Sequence, residues 1–203
     1  MTEAGGRAAR IEAFRRDWLR RPLCRRYALG IFDVAIVRAR EAKGLRDCSV
    51  PWAFGWLADG QCEPLGAWIE PETASEGAFR MLGDLKGRGV ERIAHVAGVA
   101  WLREPASTAF YGTTIRSATD ARLAEANAVS AWLGRPSPEC VAEEIRDGLA
   151  RAIRRHGSFE TPAAALDFVA GALQRTERRL DRGGEIAKPR ARHPGAQTAS
   201  PSF

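Results

Sequence analysis

The sequence predicts an α+β protein, a mixed sheet with flanking helices followed by a helical carboxy-terminal part. Three observations carry that reading. Four short segments rich in β-branched and aromatic residues have strand character, the second and third joined by a tight turn. A segment of helical period separates the third from the fourth. After Trp101 strand character gives way to apolar residues at four-residue steps. At 203 residues the chain can bury a core of its own, most simply as one domain with ragged ends.

The first 26 residues hold eight arginines against three acids, five of the six surplus positive charges of the whole chain. Ile11, Phe14, Trp18 and Leu19 recur at helical spacing, so Arg10 to Arg20 reads as an amphipathic basic helix stopped by Pro22. Such a helix could lie along a phosphate backbone or cover the edge of a domain, and the sequence leaves both open. Leu29 to Arg40 is the first strand and Val50 to Ala58 the second. Asp59-Gly60 makes the turn into a third, Cys62 to Glu70, which should set Leu65, Ala67 and Ile69 on one face and Trp68 on the other. A helix over Thr73 to Arg88 should bury Ala78, Phe79, Leu82 and Leu85, with Gly89 ending it. Val90 to Val99 is the fourth strand.

Beyond it, Pro105 to Thr114 reads as irregular or a short edge strand. Ala118 to Leu133 is a helix closed by Gly134 and two prolines. Glu139 to Arg155 is another, with Val141, Ile145, Leu149 and Ile153 in step. Thr161 to Leu180 is a third, opened by Pro162 and burying Ala165, Phe168, Val169, Ala172 and Leu173. The Gly, Pro, Ser and basic residues from 183 to 203 suit a disordered tail. The expected organisation is a basic lead-in over 1–26, a core part over 27–104, a helical part over 105–182 and that tail.

The chain carries a net charge of +6 and a pI near 9.7. This favours polyanionic partners, nucleic acid first, although a solvated basic surface gives the same figures. Cys24, Cys48, Cys62 and Cys140 form no CxxC pair and no metal-ligand spacing with His95, His156 or His193, which suits reduced thiols in a cytoplasmic protein. The longest apolar run, Val50 to Ala58, is too short to span a bilayer, and no signal peptide is visible, so no membrane role is expected.

Asp33 is the most informative single residue. It interrupts the apolar strand Leu29-Gly30-Ile31-Phe32-Asp33-Val34-Ala35-Ile36-Val37, where an ionised carboxylate is costly unless a metal, a catalytic role or a salt bridge compensates. Around it, Trp18, Arg21-Pro22-Leu23, Tyr27 and Arg38 are followed in order by Leu65-Gly66-Ala67-Trp68-Ile69, Glu76-Gly77-Ala78-Phe79 and Asp84-Leu85-Lys86-Gly87-Arg88-Gly89-Val90. A second block comprises Arg155-His156-Gly157-Ser158-Phe159, Thr161-Pro162-Ala163-Ala164-Ala165-Leu166 and Glu177-Arg178-Arg179-Leu180. Together these resemble the catalytic core of the Mutator-type transposases of bacterial insertion sequences.

The resemblance implies a ribonuclease H-like fold, DNA as partner, and phosphoryl transfer in which two aspartates and a glutamate hold two Mg²⁺ or Mn²⁺ ions. Asp33 matches the family's first aspartate. Counting back from Gly157 places the glutamate at Glu143, with Glu144 as the register-shifted candidate, and both also suit a solvated acidic helix start. Arg15, Arg16, Arg20 and Arg21 are the expected DNA-binding residues.

The second aspartate is missing. Where the family ends its fourth strand in Val-Asp-Gly, this chain reads Val96-Ala97-Gly98. Glu91 and Glu104 are the nearest substitutes, one at the wrong end of the strand and the other needing the chain to double back. The 46-residue interval from Ala97 to Glu143 is too short for the family's helical insertion and remaining core strand, its Cys/His segment has no counterpart, and 32 residues precede Asp33. The expectation is a truncated or degenerate transposase with an incomplete core, in which Asp33 and Glu143 do not bind metal productively. The alternative is a non-catalytic DNA-binding or regulatory protein that pairs with itself or with an intact transposase. Asp33 should lie on a central strand beside the fourth, and Glu143 or Glu144 on a helix, poorly placed against it.

Overall fold

The protein is described from a computed structural model over residues 17–69, 74–98, 100–110, 112–116 and 137–186. The amino-terminal sixteen residues, the helix expected over 118–133 and the tail from 187 lie outside the described residues. In order, the elements are strands β1 (Arg26–Glu41), β2 (Gly44–Trp56) and β3 (Cys62–Ala67), helix α1 (Ala74–Gly87) and strand β4 (Arg92–Gly98). A 3₁₀ turn (Ala100–Leu102) leads to α2 (Arg103–Ala109) and β5 (Thr114–Arg116). Helix α3 (Pro138–His156), strand β6 (Ser158–Phe159) and helix α4 (Pro162–Ile186) follow.

The sheet runs β3-β2-β1-β4-β5, with β6 beside the outer part of β1. β1 pairs antiparallel with β2 and β2 with β3, whereas β4 is parallel to β1 and β5 parallel to β4. β1 is therefore central, as expected of the strand that carries Asp33. β2 starts six residues earlier than the apolar pattern suggests. The added stretch is an exposed hairpin extension whose polar residues pair with the outer half of β1, as Arg38 does with Asp47.

Two apolar layers cover the sheet. α3 and α4 pack over Leu29, Ile31, Ala35, Val37, Trp52 and Phe54 through Val141, Ile145, Leu149, Ala165, Val169 and Leu173. The opposite face packs Phe32, Ala53 and Val96 against Met81, Leu82 and Leu85 of α1 and Ala106 of α2.

Two sequence expectations need correction. Leu65 and Ala67 do not share a face: Leu65 joins the α1–α2 layer and Ala67 the α3–α4 layer. The cause is a register shift where Ala53 pairs Gly66 and Phe54 pairs Pro64, so Leu65 is an extra residue that inverts the alternation. Phe79, expected in the core, is 57% exposed, and Met81 is buried instead. With 3.6 residues per turn, Ala78, Met81, Leu82 and Leu85 form one stripe and Phe79 lies more than a quarter-turn from its centre.

Helix ends follow local chemistry. α1 closes at Gly89, whose φ of +102° suits only glycine comfortably. The Val90 N–H donates to the Leu85 carbonyl and the Gly89 N–H to the Lys86 carbonyl, both at 3.0 Å. α3 opens with Ser137 accepting the Cys140 N–H at 3.2 Å and with Pro138 in its first turn. α4 continues past Leu180 to Ile186, so the first residues of the expected tail are helical.

Candidate functional site

Asp33 lies where β1 outruns its parallel neighbour. The last β1–β4 pair is Phe32 with Gly98, one residue before it. Gly98 takes φ +127°, and a Cβ there would come within 1.8 Å of the Phe32 carbonyl oxygen, so only glycine allows β4 to end against β1 in this way. Asp33 faces Trp52 across the β1–β2 pair, and its strand neighbours Ile31 and Ala35 belong to the α3–α4 layer. Its side chain is 21% exposed. Oδ1 accepts the Val34 N–H at 2.8 Å, while Oδ2 accepts Arg146 Nε at 2.8 Å and Arg146 Nη2 at 2.6 Å. The compensation for this in-strand carboxylate is thus a salt bridge from α3.

Ala97 pairs with Ile31 and packs in the same apolar layer, 4% exposed. Its methyl thus lies diagonally from Asp33, at the strand position where the resemblance leads one to expect a second carboxylate. Glu143 and Glu144 lie on α3 as expected, both exposed. Glu144 is paired with Arg179 of α4 at 2.7 Å. Glu91 is bound to Arg25 at the far end of β4. Glu104 is exposed on α2, which packs in the opposite layer. Among the described residues no three His, Cys, Asp or Glu side chains come close enough together to hold a metal ion.

Arg146 was not singled out by the sequence reading. Its signal was present: three residues after Glu143, it shares that residue's helical face, so a helix that turns Glu143 towards β1 turns Arg146 with it. No acid in the sequence announced which of the two would reach Asp33.

The arginines of the lead-in divide. Arg15 and Arg16 lie outside the described residues, and Arg20 is exposed. Arg21, expected to contact DNA, is instead turned inward. Its Nη2 donates to Glu177 at 2.7 Å, to Glu63 at 3.2 Å and to the Pro64 carbonyl at 3.1 Å, with its guanidinium 4.7 Å from the Trp18 ring centroid. Trp18 Nε1 donates to Glu177 at 2.8 Å, and the Tyr27 hydroxyl to Glu63 at 2.6 Å. Burial, reinforced by Glu63, holds the Tyr27 phenol far above its ordinary pKa. Arg88, almost fully buried, donates to the carbonyls of Arg21 and Leu65 at 2.9 and 2.6 Å. Its burial lowers the guanidinium pKa against the opposing pull of Asp84. The four cysteines are free thiols, and among the described residues no helix is long and apolar enough to cross a membrane.

The family described as "Transposase, Mutator family" matches residues 8–118. Among curated relatives, the transposase for insertion sequence element ISRM3 of Rhizobium meliloti (strain 1021) is 34% identical over 103 residues, covering 50% of this chain and 26% of the relative. The probable transposase for an ISRM3-like element of Sinorhizobium fredii (strain NBRC 101917 / NGR234) is 33% identical over the same length and coverage. The chain thus spans about a quarter of the length of these relatives. A solved structure, the simian T-cell lymphotropic virus intasome in complex with PP2A regulatory subunit B56 gamma, aligns over 92% of this chain and 64% of that one at 12% identity. Its TM-score of 0.33 is too low to bear on the fold.

Proposed function

Because the chain belongs to the Mutator family of transposases, we propose that it is a DNA-binding member of that family built on a ribonuclease H-like core whose metal-dependent strand-transfer centre is silent. The fold reading draws support from the strand order, an antiparallel β1–β2–β3 unit continued by β4 and β5 parallel to β1. It draws further support from Asp33, placed on the central strand just past the end of β4.

The observation that carries the silence is Ala97. Two divalent ions sharing a phosphoryl-transfer site need hard oxygen donors fixed on both sides, supplied in this family by two aspartates and a glutamate. Here one strand position offers a methyl group in an apolar layer, and the remaining aspartate is occupied by a guanidinium. The donor set does not fit a two-ion site. What these residues do instead is bind one another: Arg146 neutralises Asp33 and ties α3 to β1, a tethered cation where the family chemistry requires free ones.

Strand-end cleavage on labelled duplex DNA with Mg²⁺ or Mn²⁺ tests the reading. Neither the natural sequence nor Ala97→Asp should nick or join ends, because Arg146 still competes for Asp33 and the short 97–143 interval removes positioning that contributes orders of magnitude by itself. Activity in the natural sequence would overturn the silent reading. Activity only in Ala97→Asp would reduce the defect to a single missing ligand.

A further inference from the structure

Away from Asp33, α3 and α4 enclose a groove of about 320 Å³. Its charged lining is Arg151 on α3, Arg175 and Arg179 on α4, and Glu144. Three cations thus face one carboxylate, and Glu144 is already matched by Arg179. Arg151 and Arg175 are exposed and make no ion pair among the described residues. The floor is low: Gly148 has no side chain, and Ala152 and Ala172 present only methyl groups beside Ile145 and Leu149. A polyanion can therefore approach between the helices without displacing bulky side chains.

We infer that this groove seats the phosphodiester backbone of duplex DNA, with Arg151 and Arg175 as the two uncommitted phosphate contacts. The inference rests on the DNA-binding reading above and gives it a place. Arg21 is committed to Glu63 and Glu177, and Arg146 to Asp33, so neither offers a free guanidinium. Guanidinium groups suit phosphate oxygens through their planar fork of donors. Glu144 acts as a brake, since it holds Arg179 and places a negative charge on the rim.

The test uses the full 203-residue chain and a fluorescent duplex, with anisotropy titrations across a salt series. Each phosphate neutralised on duplex DNA contributes about −0.9 to the slope of log K against log salt, so Arg151→Gln/Arg175→Gln should flatten the slope by about 2 and weaken binding at every salt. Glu144→Gln should have the opposite sign and tighten binding several-fold by releasing Arg179. Arg40→Gln/Lys43→Gln, the same charge loss on the exposed β1–β2 hairpin, should leave the slope unchanged; circular dichroism checks that each variant is folded. If the natural chain binds and the groove variant matches it, or the hairpin variant loses as much, the groove assignment is overturned while DNA binding stands. If the natural chain shows no salt-dependent binding, the DNA-binding reading itself falls.

Discussion

Tyr27 and Asp33 lie on the same strand and both engage partly buried carboxylate chemistry, yet their surroundings are built on different plans. At Tyr27, Glu63 takes the phenol and Arg21, Glu177 takes Arg21 and the Trp18 indole, and Arg88 locks the Arg21 backbone. That network joins the lead-in, β1, β3, the end of α1 and α4. At Asp33 the carboxylate has its own neighbour's N–H and one guanidinium, whose side chain is 54% exposed. A charge with several partly buried partners is held by the fold and holds it in turn. One with a single half-solvated partner adds little, because solvent and salt screen the pair. Folding energetics therefore explain the position of Asp33 less fully than that of Glu63.

The sharpest way to break this comparison is at Arg21. Arg21→Ala would leave Glu63 and Glu177, 23% and 18% exposed, without their shared cation, and should destabilise the chain by about 3 kcal/mol in urea unfolding. Arg21→Lys should recover only part of this, since an ammonium cannot span two carboxylates and a carbonyl as a fork does. A loss no larger than that of an exposed ion pair would erase the distinction between the two regions.

A smaller effect is expected at the other end. Asp33→Asn should stay within about 1 kcal/mol of the natural chain in the same measurement. Arg146→Ala, which leaves one part-buried carboxylate without its cation rather than two, should cost less than Arg21→Ala. If Asp33→Asn instead matches the Arg21 loss, Asp33 is a structural anchor, and its place on the strand no longer supports a catalytic ancestry.

The sequence carried the central architecture because its signals were local and periodic. Asp33 among β-branched neighbours, the turn at Asp59-Gly60, the four-residue steps of Val141, Ile145 and Leu149 and the cap at Gly89 each have a short-range physical cause. What it concealed was non-local. The extra residue at Leu65 depends on how β3 meets β2, and nothing in Cys62 to Ala67 alone reveals a shifted register. The inward turn of Arg21 depends on a glutamate more than 150 residues away. Likewise the choice of Arg146 over Glu143 as the side chain that meets Asp33 is set by how α3 docks, which spacing leaves undecided. β6 is two residues long and exists only because β1 outruns β4, so no strand pattern could show it.

The last expected effect is slight at neutral pH and the most selective, since it follows a single phenol. Burial and the adjacent Glu63 raise the Tyr27 phenol above its ordinary value, so the folded chain keeps a proton that the unfolded chain releases near pH 10. A group whose pKa is raised on folding contributes stability that is complete below its unfolded pKa and is lost as pH climbs towards the folded one. The Tyr27 contribution should therefore hold to about pH 10 and then fall by up to about 1.4 kcal/mol per pH unit for this single proton. An earlier decline comes from Cys24 and Cys48, whose thiols burial also raises. Tyr27→Phe removes that proton: it should start slightly less stable at neutral pH, where Glu63 loses a donor, and then decline less steeply above pH 10. Urea unfolding from pH 8 to 11 on both chains, each also carrying Cys24→Ser, isolates the difference, since the Cys24 thiol is coupled to Tyr27 and Glu63 and would otherwise titrate differently in the two. Parallel slopes would mean that the phenol ionises in the folded state as readily as in the unfolded one, and the region around Tyr27 would then be as open to solvent as the region around Asp33.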